Sequence, residues 1–485
     1  MSEGKKSLFY VKTKENGNWR IDVEQSKLPI TPKEHHINYK AMMMIMTSGA
    51  IASWAFVTGS SIGVLVPTKY GVCAALFGCT IAIAVIGYMA CVYARYGTDM
   101  SVIGRSTWGH RGVYVMIIGL GFTTTYGWGS LPMIMLGKSG ATFAKAIGLP
   151  DGAFTTWQLW SFVALGLGLW ITYKGTAVIG KVSAIAAPII VCLILFICFV
   201  LAKQFGFSTA WNSLPIGVSG DRGTMVHNYM LAVEVALGVG FSWPFLFSAY
   251  TKPATTENAA YTPTIIGSGI MWSLCCVAPC ITAVLTGASD PVQALADMGG
   301  SYVVIWMIML LFANFGSVMI NPYFLSCSLS AMFPKLKWKY AVAIQAIYAA
   351  AIIFPVFYES FGNVICFAGM IEAPAGCIWA LDYFVKKKIN LRHCYAKGEA
   401  RKTSAYWYTG GFNPAAWIGV AVGAAFGMWL SNPFTGAIKW MGLFDLFGAM
   451  IPASVVGCIV YYLIFRFYQV PRGIGMPDMY APVEE

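Results

Sequence analysis

The sequence predicts an all-α polytopic membrane protein: twelve transmembrane helices, arranged as two five-helix repeats of inverted topology plus two C-terminal helices. Three observations lead there. Hydrophobic residues make up 58% of the 485 and charged residues only 11%, whereas a soluble chain carries roughly a quarter charged residues. Such a chain cannot cover a water-facing surface. Apolar runs near the ~20 residues that cross a bilayer core recur twelve times. The first and sixth of these runs, which open the two five-span blocks, are both interrupted by small and helix-breaking residues.

Residues 1–40 form a polar segment of mixed charge, without the apolar core or small-residue cleavage site of a signal peptide. The first block, 41–202, contains expected spans at 41–66, 71–93, 112–137, 157–173 and 182–202. The second, 203–385, contains 228–251, 262–286, 301–331, 340–357 and 362–385. A basic loop at 386–412 precedes two last spans, 413–432 and 443–467, within 413–467, and a tail at 468–485 ends the chain. An even number of spans puts both termini on one side. With that side cytoplasmic, 26 of the 32 lysines and arginines fall in cytoplasmic segments, as the positive-inside rule requires. A multi-pass protein of the plasma (cell inner) membrane is expected, with the lipid bilayer as its surroundings and a monomer as its working form.

The net charge of +12 is thereby explained without nucleic acid as a partner. The thirteen cysteines lie almost wholly in apolar runs and read as small buried hydrophobes; only Cys394 sits in a clearly polar loop. No Walker sequence, dinucleotide fingerprint, nucleophile elbow or His/Cys metal cluster occurs, so an enzyme or ATP-driven pump has little support and no cofactor is expected.

The interruptions carry the functional signal. Span 1 reads TSGAIASWAFVTGSSIGV (47–64), with Gly49 and then Thr58-Gly59-Ser60-Ser61 in mid-membrane. Span 6 reads EVALGVGFSWPFLFSAY (234–250), with Gly238, Gly240, Ser242 and Pro244 close together. Glycine and proline often serve only close packing in membrane helices. Paired at matching ranks of two halves, they point instead to the midplane site of an inverted-repeat transporter. There, unwound backbone lines a cavity, offering carbonyls to a cation and helix N-termini to the solute.

Several strings, in order, carry a more specific likeness: VTGSSIG (57–63), IGRSTWGHRG (103–112), YGWGS (126–130), FSAYTK (247–252) and APAGCIWALDYFVKKK (373–388). Over roughly residues 35–465 the chain resembles the nucleobase–cation symporters, the cytosine, purine, allantoin and hydantoin permeases of LeuT-type fold. The resemblance implies cation-coupled uptake by alternating access, with a planar heterocycle held between an aromatic of span 3 and one of span 6. Trp128 matches the first; Phe241 or Trp243 matches the second. It also implies a polar contact from span 8, where Asn321 falls, while Ser242, Thr124 and Thr125 are weaker hydroxyl candidates. The family's sodium site uses span 1 carbonyls, here around Ala52, Trp54 and Val57, with two neighbouring polar residues of span 8. Ser317 matches one and Gly316 stands at the other, with Asn314 a turn away. The coupling ion thus stays open between sodium and a proton.

Two acids in apolar spans, Glu234 and Glu372, add what the family pattern does not demand, and an intramembrane carboxylate is costly enough to suggest function. Either could carry a coupling proton or, ionised, hold a cationic group; Glu372 stands before Ala373-Pro374 in span 10. Glu234 sits near enough to the start of its span to be a wet helix end. Asp382 reads as a structural partner of the basic loop. The leading expectation is a secondary symporter for a nucleobase or similar nitrogen heterocycle. The alternatives are a proton-coupled carrier of a small cationic or vitamin-like solute and a LeuT-fold amino-acid permease.

Overall fold

The computed structural model describes residues 29–30, 34–50, 53–315 and 317–476. The chain is helical apart from one two-strand hairpin, Ser431–Asn432 paired antiparallel with Ala437–Ile438. The elements that matter below are α1 (Tyr39–Ala50), α2 (Ser53–Gly63), α3 (Thr68–Ile86), α4 (Phe122–Ala146), α5 (Trp157–Lys174), α6 (Thr176–Phe205), α7 (Arg222–Ser242) and α8 (Pro244–Thr251). They continue with α9 (Val277–Thr286), α10 (Val303–Phe315), α11 (Ile320–Met332), α12 (Phe361–Lys386), α13 (Pro414–Leu430) and α14 (Met450–Ile464).

Six described helices or helix runs are long and apolar enough to cross a membrane: Thr68–Tyr96, Pro188–Phe205, Arg222–Ser242, Glu257–Thr286, Phe361–Lys386 and Met450–Arg472. Other expected spans are divided into shorter helices, so helix length alone does not count twelve. Of the first, α1 and α2 are described and residues 51–52 between them are not. The sixth is split at Trp243 between α7 and α8, with Pro244 at the first position of α8, where its missing N–H costs no hydrogen bond.

Two details differ from expectation. Thr58-Gly59-Ser60-Ser61 does not interrupt span 1; it lies inside α2. Its hydroxyls turn back on their own helix, Thr58 Oγ1 donating to Trp54 O (3.0 Å) and Ser61 Oγ to Val57 O (2.9 Å). Its glycines serve packing instead. A Cβ on Gly59 would lie 2.6 Å from Cys276 O, and one on Gly63 2.5 Å from Cys280 O. This small-x-x-x-small edge lets α2 lie directly on α9. Likewise Gly238 and Gly240 are helical, in α7, and do not open the backbone. Gly238 admits the Ile365 carbonyl of α12, and Gly240 admits Cys79 and Ala82 of α3. In span 6 only the Trp243–Pro244 junction breaks the helix.

A third interruption was not foreseen. The expected span 301–331 is two helices, α10 and α11, with a turn at 317–319 between them and Gly316 outside the described residues. Pro322 sits in the first turn of α11, the place where a helix tolerates proline. Beyond the repeats, α12, α13 and α14 meet through Gly419, Gly423 and Gly457, whose missing side chains leave room for Pro374 and for the facing backbones.

The face bearing the basic loops is tied shut. Arg95 grips Glu257 through two hydrogen bonds (2.6 and 2.8 Å) and donates to Tyr383 OH at 2.6 Å. Asp382, in α12, finds its cation one turn on: Lys386 Nζ is 2.5 Å away, both are buried, and Thr107 and Tyr461 donate to the same carboxylate. Cys394 was expected in an open loop. It is instead fully buried, under the Arg105 guanidinium that donates to its carbonyl.

Candidate functional site

The YGWGS string explains itself physically. A Cβ on Gly127 would run into the Phe357 ring and one on Gly129 would lie 2.6 Å from the Tyr348 ring. The two glycines let aromatic rings close on both sides of α4 and leave Trp128 in one orientation. Trp128 is 4% exposed, its indole N–H has no hydrogen-bond partner, and its ring meets Phe361 edge-on at 5.3 Å. A buried indole normally finds an acceptor, so this one is available to a bound molecule.

At the α7–α8 junction, Trp243 lies edge-on to Trp54 of α2 at 6.0 Å and stacks on Phe247 at 6.2 Å. Phe241 is buried in the same apolar core as Trp54, Trp128, Trp243 and Phe361. The Ser242 hydroxyl is engaged, donating to Val239 O at 2.6 Å. Thr124 and Thr125 lie on α4, before Trp128.

Asn321, in the first turn of α11, is 1% exposed, and neither its amide nitrogen nor its oxygen has a hydrogen-bond partner. Leaving such a group unpaired costs about 1–3 kcal/mol, and native folds rarely tolerate that without a use. The other side of the break holds Asn314, whose Nδ2 donates to Leu310 O while its buried Oδ1 has no partner. Ser317 follows in the turn, buried. On the first span, Trp54 O and Val57 O already accept the hydroxyls of Thr58 and Ser61, and Ala50 O accepts the Trp54 indole N–H at 3.3 Å. Ala52 lies outside the described residues. Among the described residues no group of three His, Cys, Asp or Glu could hold a metal ion; a cation here would depend on carbonyl, hydroxyl and amide oxygens, which suit sodium.

Glu372 is buried in α12, two residues before Pro374. Glu234 is 2% exposed rather than at a wet helix end; its Oε1 accepts the Met450 N–H at 3.1 Å and its Oε2 has no partner.

A cavity of about 530 Å³ lies between the C-terminal half of α2, the first half of α7, the start of α12 and the 431–438 hairpin, on the face opposite the basic loops. Glu234 and Phe361 line it; Trp128, Trp243 and Asn321 do not. Phe361 therefore stands between the cavity and Trp128. Sequence reasoning missed Phe361, since an aromatic at a helix start carries no signal of its own. It also missed the cluster at the cavity wall, where Lys138 pairs with Asp290, Tyr358 donates to Asp290 at 2.8 Å, and Lys138 sits 4.3 Å from the Tyr358 ring centroid.

Comparison with known proteins places this geometry. No curated protein matches the chain. Two solved structures share its fold: Mhp1 in an inward-facing conformation, at 15% identity over 91% of this chain and 94% of that one with a TM-score of 0.72; and Mhp1, a nucleobase-cation-symport-1 family transporter, closed with bromovinylhydantoin bound, at 16% identity over 92% and 95% with a TM-score of 0.73. The family model of permeases for cytosine/purines, uracil, thiamine and allantoin matches residues 29–463. The chain belongs to that family: it is a multi-pass membrane transporter of the nucleobase–cation symporter type.

Proposed function

We propose that the chain imports a planar nitrogen heterocycle, a nucleobase or a close relative, by alternating access, stacking it on Trp128 with an aromatic of the α7–α8 junction opposite. Asn321 reads its edge. One observation carries this reading: a buried amide with donor and acceptor both unpaired, on the break of a discontinuous helix that packs against α4, the helix carrying a buried indole with a free N–H. A flat ring gains about 1–3 kcal/mol by stacking on an aromatic face, and an amide offers the matching donor–acceptor pair. Trp243 supports the second platform better than Phe241, because it caps the helix break and its ring is already held by Trp54 and Phe247. The bromovinylhydantoin bound to Mhp1 is a ring of the same shape class.

Both termini lie in the cytoplasm of a cell whose plasma membrane holds the protein, and the cavity faces outward with Phe361 closing over Trp128. The two repeats, 41–202 and 203–385, rock against each other around this point, as a monomer. The coupling cation is sodium or a proton. Asn314 Oδ1 and Ser317 favour a sodium ion near the α10–α11 break. The engaged carbonyls of Trp54 and Val57 and the buried Glu372 favour a proton. Uptake into proteoliposomes under separately imposed sodium and pH gradients decides between them. Uptake of cytosine, purines, uracil, thiamine, allantoin and hydantoins that follows neither gradient rejects the coupling.

A further inference from the structure

The outer cavity has an electrostatic character that the aromatic site lacks. Its charged lining is Lys138 against Glu234, Asp290 and Glu359, a formal charge of −2 with His227 neutral. The cations are already taken. Lys138 is spent on Asp290, and His227, two turns before Glu234 on α7, is bound to Asp445 at 3.1 Å. Glu234 has no basic partner. Its Oε1 accepts the Met450 N–H at the start of α14. Gly448, at φ +68°, is what lets the chain turn over the carboxylate: a Cβ there would strike Glu234 Oε1. The second oxygen, Oε2, is buried without a partner, and the Glu234 side chain lines the cavity. Around the same cavity stand the rings of Tyr358, Phe361 and Phe444. A carboxylate without a basic partner, set beside aromatic faces in a negatively lined cavity, is the chemistry that recognises an organic cation.

We propose that the cavity is an outer binding site for small organic cations, with the Glu234 carboxylate as the anionic anchor and the ring of Tyr358, Phe361 or Phe444 as the cation–π wall. A volume of about 530 Å³ admits a methylated pyridinium or a choline-sized ammonium. The site is separate from the Trp128 platform and stands whether or not that platform stacks a heterocycle.

The test uses purified full-length protein in nanodiscs at pH 8 and two isosteric pairs: N1-methylnicotinamide against nicotinamide, and choline against 3,3-dimethylbutanol. Binding is read by calorimetry and by thermal shift. At least one cation should bind tenfold or more tightly than its neutral isostere. Glu234→Gln, which keeps the acceptor for Met450, should erase that preference, and Glu234→Asp should restore part of it. Trp128→Ala should leave it in place, which separates this site from the platform. Cations and isosteres binding equally, no cation binding at all, or an undiminished preference in a folded Glu234→Gln protein would each overturn the proposal. The last result would leave Glu234 to a proton or to structure alone.

Discussion

Asn321 and Trp128 each bury polar atoms that have no hydrogen-bond partner. An unpaired buried amide is a standing penalty, so Asn321→Leu, of similar volume and without the orphaned atoms, should melt at the same or a higher temperature while raising the KM for substrate roughly 5- to 150-fold, the equivalent of about 1–3 kcal/mol. A variant that melts lower and transports normally would show that Asn321 is structural. Trp128→Ala should cost a similar factor in KM, with Trp128→Phe recovering most of it, as a stacking face requires. The sequence singles out Trp128 through the YGWGS string, and Phe241, Trp243 and Asn321 through their place in the resembling spans; whether Trp128 and Asn321 bind is what these variants test. Their state is not legible there: no string reveals that the Asn321 amide is unpaired while the Ser242 hydroxyl is engaged, since both facts depend on which neighbours close over them. Phe361 and the Lys138–Asp290–Tyr358 cluster were invisible for the same reason, joining residues far apart in the chain.

Glycine spacing decides matters between elements. The sequence marked Gly59, Gly238 and Gly240 as breakers, yet each is a helical glycine that admits another helix's backbone. One-dimensional reading cannot tell the two uses apart, because both place small residues in mid-span. The difference is measurable. Gly240→Ala would press a Cβ against Cys79 and Ala82 of α3 and should lower stability by about 1–3 kcal/mol, whereas Gly166→Ala on α5 meets nothing within 4 Å and should be neutral or slightly stabilising. Thermal melts of the two purified variants compare them directly. The loop between spans 2 and 3 offers a pH signature. Burial, reinforced by the nearby Arg105 guanidinium, lowers the His110 pKa from 6.5 to about 4. A histidine held neutral in the fold takes up its proton more readily when unfolded. Its contribution is therefore complete above pH 6.5 and is lost as pH falls from 6.5 towards 4. After allowance for screening this is roughly 1–2 kcal/mol. The melting temperature should fall across that window, and His110→Gln should flatten the fall.

At the scale of the whole molecule, composition and the positive-inside count fixed the class, and the paired interruptions suggested a transporter before any string did. The third break, between α10 and α11, escaped because its glycine and proline are spread over an otherwise apolar run. Cys394 is a poor reporter of orientation, being buried. A cysteine at exposed Lys397 serves better, and it should react with an impermeant maleimide only after the membrane is opened from the cytoplasmic side. The basic face carries the Arg95–Glu257 and Asp382–Lys386 pairs, and the cavity lies on the opposite face. Breaking a buried ion pair costs about 3–5 kcal/mol, so Asp382→Asn, which strands the buried Lys386 one turn on, should lower the melting temperature of the purified protein. The central claim is cation-driven carriage of a flat heterocycle on Trp128. The most direct measurement is accumulation of radiolabelled cytosine, hypoxanthine, allantoin and a hydantoin in proteoliposomes holding the wild-type or Trp128→Ala protein, with and without an inward sodium or proton gradient. The account predicts saturable accumulation of at least one of them, driven by one gradient and sharply weakened by Trp128→Ala. Gradient-independent, non-saturating flux, or equal accumulation by the two proteins, would contradict it.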